Sequence, residues 1–417
     1  MKFSVSGTPL ITALTKALRR VLPAPLGWHT RYMIASYSRH TFLVTCAILV
    51  LALSIDLTLF LSKVLATVSG WPDFWALSLA RYLGLRATDF LAELLPLACF
   101  IGVFWAEIVH TMSQERLIVW LSGRAAQQCL VPALLFGAMI GTVELALNIY
   151  LRPMAVMTMA VEHLGSYGER YDPRPLPYPQ WIASGRDLIQ AFVVAGSPPT
   201  LRDVRVYRMD ETMALQTFFR AKLAKPLDDR SWLLTDGYRW TSPIGARPIG
   251  SPPEGKKFAE PEGEVAFAQE RLDLKVAPIW INNFRIGARY LTNDVFTALM
   301  KVSFSPDSEF RTWEQARYSQ SLFCAAMPVL AASLSILLLA YEIRLAMLCF
   351  IALAGYMTNT AMKLFVLLGE HGYLSPVAAG WSVPAFLLLI CAAAVLIGRK
   401  IESTSARFSE RARPARV

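Results

Sequence analysis

The sequence predicts a membrane protein with six transmembrane α-helices, arranged three and three around an inserted all-β domain of jelly-roll-like type. Apolar residues make up 54% of the chain and charged residues only 17%, whereas soluble domains carry about 25% charged residues. Six apolar stretches are long enough to cross the hydrocarbon of a bilayer, which takes roughly 20 helical residues. A polar segment without cysteine separates the third stretch from the fourth.

The six apolar stretches define the expected domain organisation. They are Phe42–Leu61, Phe90–Val109, Cys129–Leu151, Ser321–Tyr341, Leu345–Leu368 and Pro376–Gly398. We therefore expect a basic N-terminal extension with an interfacial helix over 1–40, transmembrane helices over 41–152 and 311–400, a β domain over 153–310 and a basic tail over 401–417.

The net charge of +10 lies at the two ends of the chain. Residues 1–40 carry six basic side chains and no acid, and residues 399–417 carry six more against Glu402 and Glu410. A nucleic-acid binder would gather its charge on one folded face, whereas basic ends that flank apolar spans are typical of cytoplasmic anchors. The pattern predicts a multi-pass protein with both termini in the cytoplasm and the β domain outside, and it argues against nucleic-acid binding.

Short runs of β-type residues fill much of the segment 153–310. A proline-rich stretch that starts at Tyr171 cannot continue a helix. The strands expected after it are separated by turn residues such as Ser-Gly and Asp-Gly, and they are Trp181–Ser184, Leu188–Val194, Val204–Met209, Leu215–Leu223 and Trp232–Thr235. Many short strands at close spacing favour a sandwich or a jelly roll.

Signals for catalysis or cofactor binding are weak throughout the sequence. The six cysteines lie in or beside apolar spans and the five histidines are scattered, which gives neither a disulfide framework nor metal-ligand spacing. The stretch Gly250–Lys257 approaches a phosphate-binding loop, but Lys257 stands where Ser or Thr would meet magnesium. We expect no cofactor, no metal and no enzymatic activity, so that any ATP would be bound by another chain.

Three segments, taken in order, resemble a known family. Glu93-Leu-Leu-Pro-Leu opens the second span, Glu115-Arg-Leu-Ile-Val-Trp-Leu-Ser-Gly follows that span, and Gly369-Glu-His-Gly-Tyr-Leu-Ser-Pro links the last two spans. With the three-plus-three layout, they resemble the LptF/LptG-type permeases of lipopolysaccharide export from Arg31 to about Lys400. Two departures are the thirty or so residues before Arg31 and Trp120, which stands where that family usually has a basic residue.

The resemblance implies a non-catalytic permease subunit of an ABC transporter. In that family two permeases pair, bind a dimer of cytoplasmic ATPases and extract lipopolysaccharide from the outer leaflet of the bacterial inner membrane. The β domain resembles the family's periplasmic jelly roll, which joins β-jelly-roll bridge proteins that carry the lipid outward. The alternative is a membrane sensor or assembly scaffold that presents its periplasmic β domain. That alternative is disfavoured because residues 1–40 and 399–417 are too short to fold as an output module.

The segment after the second span is the expected contact for the ATPase. A short amphipathic helix over about 112–122 carries Glu115, Arg116 and an apolar face that includes Trp120, and Gly123 follows it. By the resemblance, these four residues form the coupling surface. From the residues alone, an interfacial helix that lies on lipid headgroups explains the pattern equally well.

Four ionisable side chains lie inside the expected spans, namely Asp56, Glu93, Glu144 and Lys363. Counted at about 1.5 Å per residue, all four lie in the outer half of the membrane, where such groups need a partner or a cavity. One interpretation is that Lys363 pairs with Asp56 or Glu144 and holds helices together. The other is that the four groups line an amphiphile-binding cavity that opens to the outer leaflet.

Basic side chains at the outer ends of the spans go against the usual charge bias of membrane proteins. Phosphates of a lipid A-like headgroup would be held by charge-assisted contacts with such groups, although ordinary snorkelling to lipid phosphates is the simpler alternative. The candidate lipid-binding or gate residues are Lys63, Lys363, Arg81, Arg86, Arg152 and Arg317, with Arg311 nearby. The resemblance places the first and fifth spans, which carry the two lysines, beside a lateral opening for lipid.

Overall fold

The computed structural model describes residues 27–411 except for 69–74, 125, 166, 168–177, 195, 197, 212, 242–263, 275, 284–285, 303–307 and 340–342. The extension before residue 27, the start of the proline-rich stretch and the segment 250–257 lie outside the described residues, as does the side chain of Lys63. Internal contacts divide the chain into two units. The first contains the chain up to Leu59, Leu83–Arg152 and the chain from Arg311, and the second contains Phe60–Tyr82 and Pro153–Phe310.

Long apolar helices make up most of the first unit, and shorter helices lie in the second. The described helices are α1 Trp28–Val68, α2 Trp75–Met112, α3 Glu115–Leu121, α4 Ala126–Cys129, α5 Val131–Ala146, α6 Arg152–Val161, α7 Pro278–Asn283, α8 Asn293–Val302, α9 Ser308–Leu338, α10 Leu345–Glu370 and α11 Pro376–Arg411. Within the described residues, six segments are long and apolar enough to cross a membrane: Trp28–Ser62, Ala76–Met112, Val131–Val161, Ser308–Leu338, Leu345–Glu370 and Pro376–Ala393.

Glycine allows close approach between α5 and α9. A Cβ atom added at Gly141 would lie 2.8 Å from the carbonyl oxygen of Ser321, and one added at Gly137 would overlap the backbone of Ala325. These glycines are four residues apart, so they lie on one face of α5. Small residues at this spacing let membrane helices pack backbone against backbone, and here they join the third span to the fourth.

A π-helical turn, Leu147–Leu151, joins α5 to α6. Such turns insert an extra residue into the helical repeat and are frequent at functional sites. Here the turn carries Asn148, whose side-chain amide donates to Glu144 at 2.7 Å, with both side chains buried.

The second unit contains one antiparallel sheet. Its strands are β1 Gln180–Ser184, β2 Asp187–Val194, β3 Thr200–Met209, β4 Leu215–Pro226, β5 Ser231–Thr241 and β6 Glu264–Asp273, and they pair in chain order. The five strands expected from the sequence are present, several of them longer than expected. The sixth was not expected, because β6 is rich in charged residues and buries only Leu272. The described strands follow one another as a meander, and closure into a jelly roll stays a prediction.

A row of apolar side chains crosses the sheet and forms its core. Ile189 lies opposite Ile182 and also opposite Val206, which lies opposite Phe219. All four side chains are buried. Trp232 lies in the same core, where its indole N–H donates to the carbonyl oxygen of Val276 at 2.8 Å, because a buried indole needs a hydrogen-bond acceptor.

The turn between β4 and β5 is fixed by one carboxylate. Asp228 accepts the backbone N–H groups of Arg230 at 2.9 Å and Ser231 at 2.6 Å. These hydrogen bonds lower the pKa of Asp228 from its ordinary value, since they favour the charged form. An Asp side chain that binds the backbone two or three residues further on is a common turn device, and it sets the register of the two longest strands.

Candidate functional site

A sharp turn places the short helix α3 against the end of α2. α2 ends at Met112 and α3 begins at Glu115, so a turn of only two residues joins the helices. Gln114 makes the turn in the left-handed conformation, with φ 62°, which few non-glycine residues adopt. Its carbonyl oxygen accepts the N–H of Leu117 at 3.1 Å. Side chains on the two helices therefore meet across the turn.

Arg116 lies at the centre of a buried polar cluster. Its guanidinium forms an ion pair with Glu107 of α2 and also donates to the carbonyl oxygen of Ser335 of α9 at 3.0 Å. The second oxygen of Glu107 accepts the hydroxyl of Tyr37 from α1. Arg116, Glu107 and Tyr37 are each less than 5% exposed. Four helices thus converge on one compensated pair of charges.

Glu115 is held by two neighbours on the opposite side of α3. Its carboxylate accepts the hydroxyl of Tyr32 at 3.0 Å and contacts Nδ1 of His110 at 2.9 Å. The ring of Tyr32 stacks on Trp28, with centroids 5.6 Å apart. The carboxylate remains 40% exposed, so it is anchored while still reaching the surface.

The outward face of α3 is apolar. Leu117, Ile118 and Leu121 are exposed to 46%, 65% and 78%, and we call these three residues the apolar ridge. Trp120 is half-buried on the other side of the helix, and the exposed Gly123 ends the segment in the left-handed conformation, with φ 82°. A glycine is favoured there because a side chain would be strained.

A small cavity of about 10 Å³ lies behind α3, about enough for one water molecule. Side chains from α1, α2, α3 and α9 line it, including Met33, Glu107, Arg116, Val119, Trp120 and Ile336. Val119 of α3 and Ile336 of α9 therefore face the same cavity.

A chain of alternating charges links the first three spans. Its residues on α2 lie in the first half of that helix, whereas α3 follows the end of the helix. Arg86 of α2 donates to Asp56 of α1 at 2.7 Å and to Asp89 at 2.8 Å. Arg152 of α6 donates to Asp89 at 2.8 Å and to Glu93 at 2.5 Å. Only Glu93 is substantially exposed, at 37% of its side chain. We call these five residues the charge chain.

The charge chain has consequences for phosphate binding. It holds two guanidinium groups and three carboxylates, and Arg86 also lies over the ring of Phe90 at 4.3 Å. A phosphate that bound Arg86 or Arg152 would compete with a carboxylate already in place. The arrangement fits a structural clamp between α1, α2 and α6, because buried charges need compensating partners.

The pairing considered for Lys363 is wrong. Asp56 pairs with Arg86 and Glu144 accepts from Asn148, whereas Lys363 is exposed on α10. The reason is rotational: the position of Lys363 on α10 turns its side chain away from the interior of the helical unit. Within the described residues, the second carboxylate oxygen of Glu144 is buried without a hydrogen-bond donor.

A family model describes nearly the whole chain. The model of the lipopolysaccharide export system permease LptF/LptG matches residues 31–397. The chain belongs to the LptF/LptG family. A comparison with curated protein sequences finds no match. Family membership and the six apolar helices identify a multi-pass membrane protein, a permease component of lipopolysaccharide export.

The remaining candidate residues of this LptF/LptG permease are placed as follows. Arg81 forms an exposed ion pair with Glu162 at 2.6 Å. Arg317 is 3% exposed within α9, and Arg311 is exposed at the start of the same helix. The roles of these arginines in lipid binding remain predictions.

Two important residues were not identified from the sequence. Asp89 precedes the second apolar stretch by one residue, although the spacing of Arg86, Asp89 and Glu93 places all three on one face of a helix. Tyr37 carries no signal in a single sequence, because its role depends on Glu107 of another helix. Among the described residues, no group of three or more His, Cys, Asp or Glu side chains is arranged to hold a metal ion.

Proposed function

We propose that this chain is a permease subunit of an ATP-driven exporter that extracts lipopolysaccharide from the outer leaflet of the inner membrane. In this proposal it pairs with a second LptF/LptG-type permease and passes the lipid to periplasmic bridge proteins of the β-jelly-roll type. Membership of the family and the six apolar helices support the proposal. Both termini then lie in the cytoplasm and the sheet in the periplasm.

The apolar ridge of α3 is the observation that carries the ATP-driven part of this function. Its three side chains are exposed on a helix whose opposite side is fixed by Arg116. A rigid helix with an exposed apolar face suits helix-in-groove docking to another protein. Glu115 lies beside the ridge, where its anchored carboxylate is available to a cation of the partner. We propose that a cytoplasmic ATPase dimer docks here.

We propose that the lipid contacts are made by basic residues at the ends of the spans that are expected to face outward. Lys363 is exposed on α10 and Arg311 is exposed on α9, so both are accessible to a phosphate. Lys63 remains a candidate from the sequence. Since Arg86 and Arg152 are engaged with carboxylates, we assign them chiefly to holding α1, α2 and α6 together.

The docking proposal is tested by changing the apolar ridge. Ile118→Asp places a charge at the exposed centre of the ridge, so we expect membrane insertion to be normal and ATPase co-purification to fall at least about tenfold, as for loss of a central interface side chain. The matched control is Leu227→Asp, which changes a similarly exposed leucine in the sheet unit. Undiminished co-purification of the ATPase with Ile118→Asp would refute the docking assignment.

A further inference from the structure

Arg116 connects the short helix α3, where we propose that the ATPase docks, to α9, a span that follows the sheet in the chain. Its guanidinium binds Glu107 of α2 with one edge and the Ser335 carbonyl of α9 with the other. Ser335 lies in the last turn of α9, where outward-pointing carbonyl groups favour a cation. Arg116 thus connects α3 to one helix from each half of the membrane unit.

The chemistry of this contact favours joint movement of the three helices. Arginine presents its donors in a rigid planar fork, so it holds two acceptors at fixed relative positions, whereas a lysine ammonium is a compact point charge on a flexible stem. The cluster is buried, and separating α3 from α2 or α9 would leave a buried charge without its partner. Val119 of α3 and Ile336 of α9 line the same small cavity, so side chains of the two helices also lie close together there.

We propose that Arg116 is a positioning residue that makes α2, α3 and α9 move as one body. Movement of α3 would then reach one span that precedes the sheet in the chain and one that follows it. The proposal rests on the proposed function, since it takes α3 as the site of ATPase docking. It assigns Arg116 to transmission of movement and the apolar ridge to attachment of the ATPase. Attachment and transmission can therefore be separated by substitution.

The first test measures lipid released per ATP hydrolysed in the reconstituted complex of both permeases and the ATPase. Arg116→Lys keeps the positive charge beside Glu107 but removes the rigid planar group that bridges Glu107 and Ser335. We expect normal ATPase co-purification and a fall of about tenfold in lipid released per ATP, which corresponds to about 1.4 kcal/mol of lost coupling.

Tyr37→Phe is the matched control for this test. It removes a hydrogen bond to the same carboxylate, in the same buried cluster, without touching α3 or α9. We expect the lipid released per ATP to stay at the wild-type value in this variant. If Tyr37→Phe lowers that ratio as much as Arg116→Lys does, the cluster is merely structural and the inference is overturned.

A second test does not depend on the folding of an Arg116 variant. Val119 of α3 and Ile336 of α9 line the same small cavity, so Val119→Cys with Ile336→Cys can be joined by a short cleavable thiol cross-linker. Cys129→Ala removes the native thiol of that cavity, and the chain with Cys129→Ala alone, treated with the same reagent, controls for reaction at the other cysteines. If α3 and α9 move as one body, the cross-linked exporter should transport lipid at the rate of the uncross-linked one. Loss of transport that returns on cleavage would overturn the inference.

The two levels of proposal fail in distinguishable ways. If the wild-type chain captures no ATPase, the proposed function and this inference are both refuted. If it captures the ATPase and Arg116→Lys releases as much lipid per ATP as the wild type, only the inference is refuted.

Discussion

Asp89 shows how a single carboxylate organises charges in the membrane unit. It accepts from Arg86 with one oxygen and from Arg152 with the other, both at 2.8 Å. Arg86 lies on its own helix and Arg152 on α6. Because all three side chains are nearly buried, each charge depends on the others for compensation.

Replacing Asp89 should therefore be costly. Asp89→Asn keeps the size of the side chain but leaves two buried guanidinium groups with less negative charge, so we expect a loss of about 3–5 kcal/mol in the free energy of unfolding. Thermal unfolding in detergent micelles measures this effect. Glu162→Gln is the control, because it breaks an ion pair of similar length whose arginine is exposed, and it should cost less than about 1 kcal/mol. Equal stability of the two variants would contradict the role of Asp89.

The sequence identified the unusual residues but not their partners. Asp56, Glu93 and Glu144 stand out because they interrupt apolar stretches, and this is visible in the amino-acid sequence alone. Their pairing depends on how each helix is rotated about its axis and on how far the helices are shifted along one another. Those quantities are set by close packing over entire spans, so neither the pairing of Arg86 with Asp56 nor the exposed position of Lys363 could be assigned in advance.

At the scale of elements, the contact between α5 and α9 depends on two glycines. Gly141→Ala should force the helices apart, because the added Cβ would lie 2.8 Å from a backbone oxygen that cannot rotate away. We expect a destabilisation of about 1–3 kcal/mol, as for other overpacked sites, measured as a lower unfolding temperature in detergent. Gly84→Ala is the control, since a Cβ there has nothing within 4 Å. A Gly141 variant as stable as the Gly84 variant would rule out this close contact.

Element types followed from the sequence wherever the pattern of apolar residues was strong. The five expected strands are runs of β-type residues bounded by turn residues and are present, and the apolar stretches coincide with helices over most of their described length. The strand β6 was missed because neighbouring strands, not its own composition, hold it in the sheet: Leu233 pairs with Arg271 and Tyr238 with Ala266. The π-helical turn was also not predicted, since it arises from local helix geometry around Asn148.

At the scale of the whole molecule, the family and the number of spans could both be recognised from sequence. Composition, basic ends and three ordered motifs sufficed, and the family model covers the same region. The short helix α3 lies within the segment 112–122 that was expected to be helical, and its role in coupling stays a proposal. The sequence did not predict that the two faces of α3 differ in this way: Arg116 is buried against other helices, whereas the apolar ridge faces outward.

The proposed capture of lipid by the assembled exporter is tested most directly through the two lysines. A charge-assisted contact in a partly dry cavity contributes about 1–3 kcal/mol, so Lys63→Ala and Lys363→Ala should each weaken lipopolysaccharide binding by roughly tenfold to a hundredfold. Photo-crosslinking of lipopolysaccharide to the exporter measures the change, with Lys222→Ala in the sheet unit as the control. Wild-type capture by both variants would show that the lysines do not form the gate.

The meander order of the sheet bears on how the protein is made. Each described strand pairs with the strand that precedes it in the chain, from β1 to β6. Pairing between sequence neighbours keeps contacts local in the chain, which favours fast folding. During synthesis, each new strand can therefore add to an edge that already exists, before α9 has left the ribosome. A ribosome paused within the fourth span would then already carry a folded sheet, resistant to protease, while half of the membrane helices had still to be inserted.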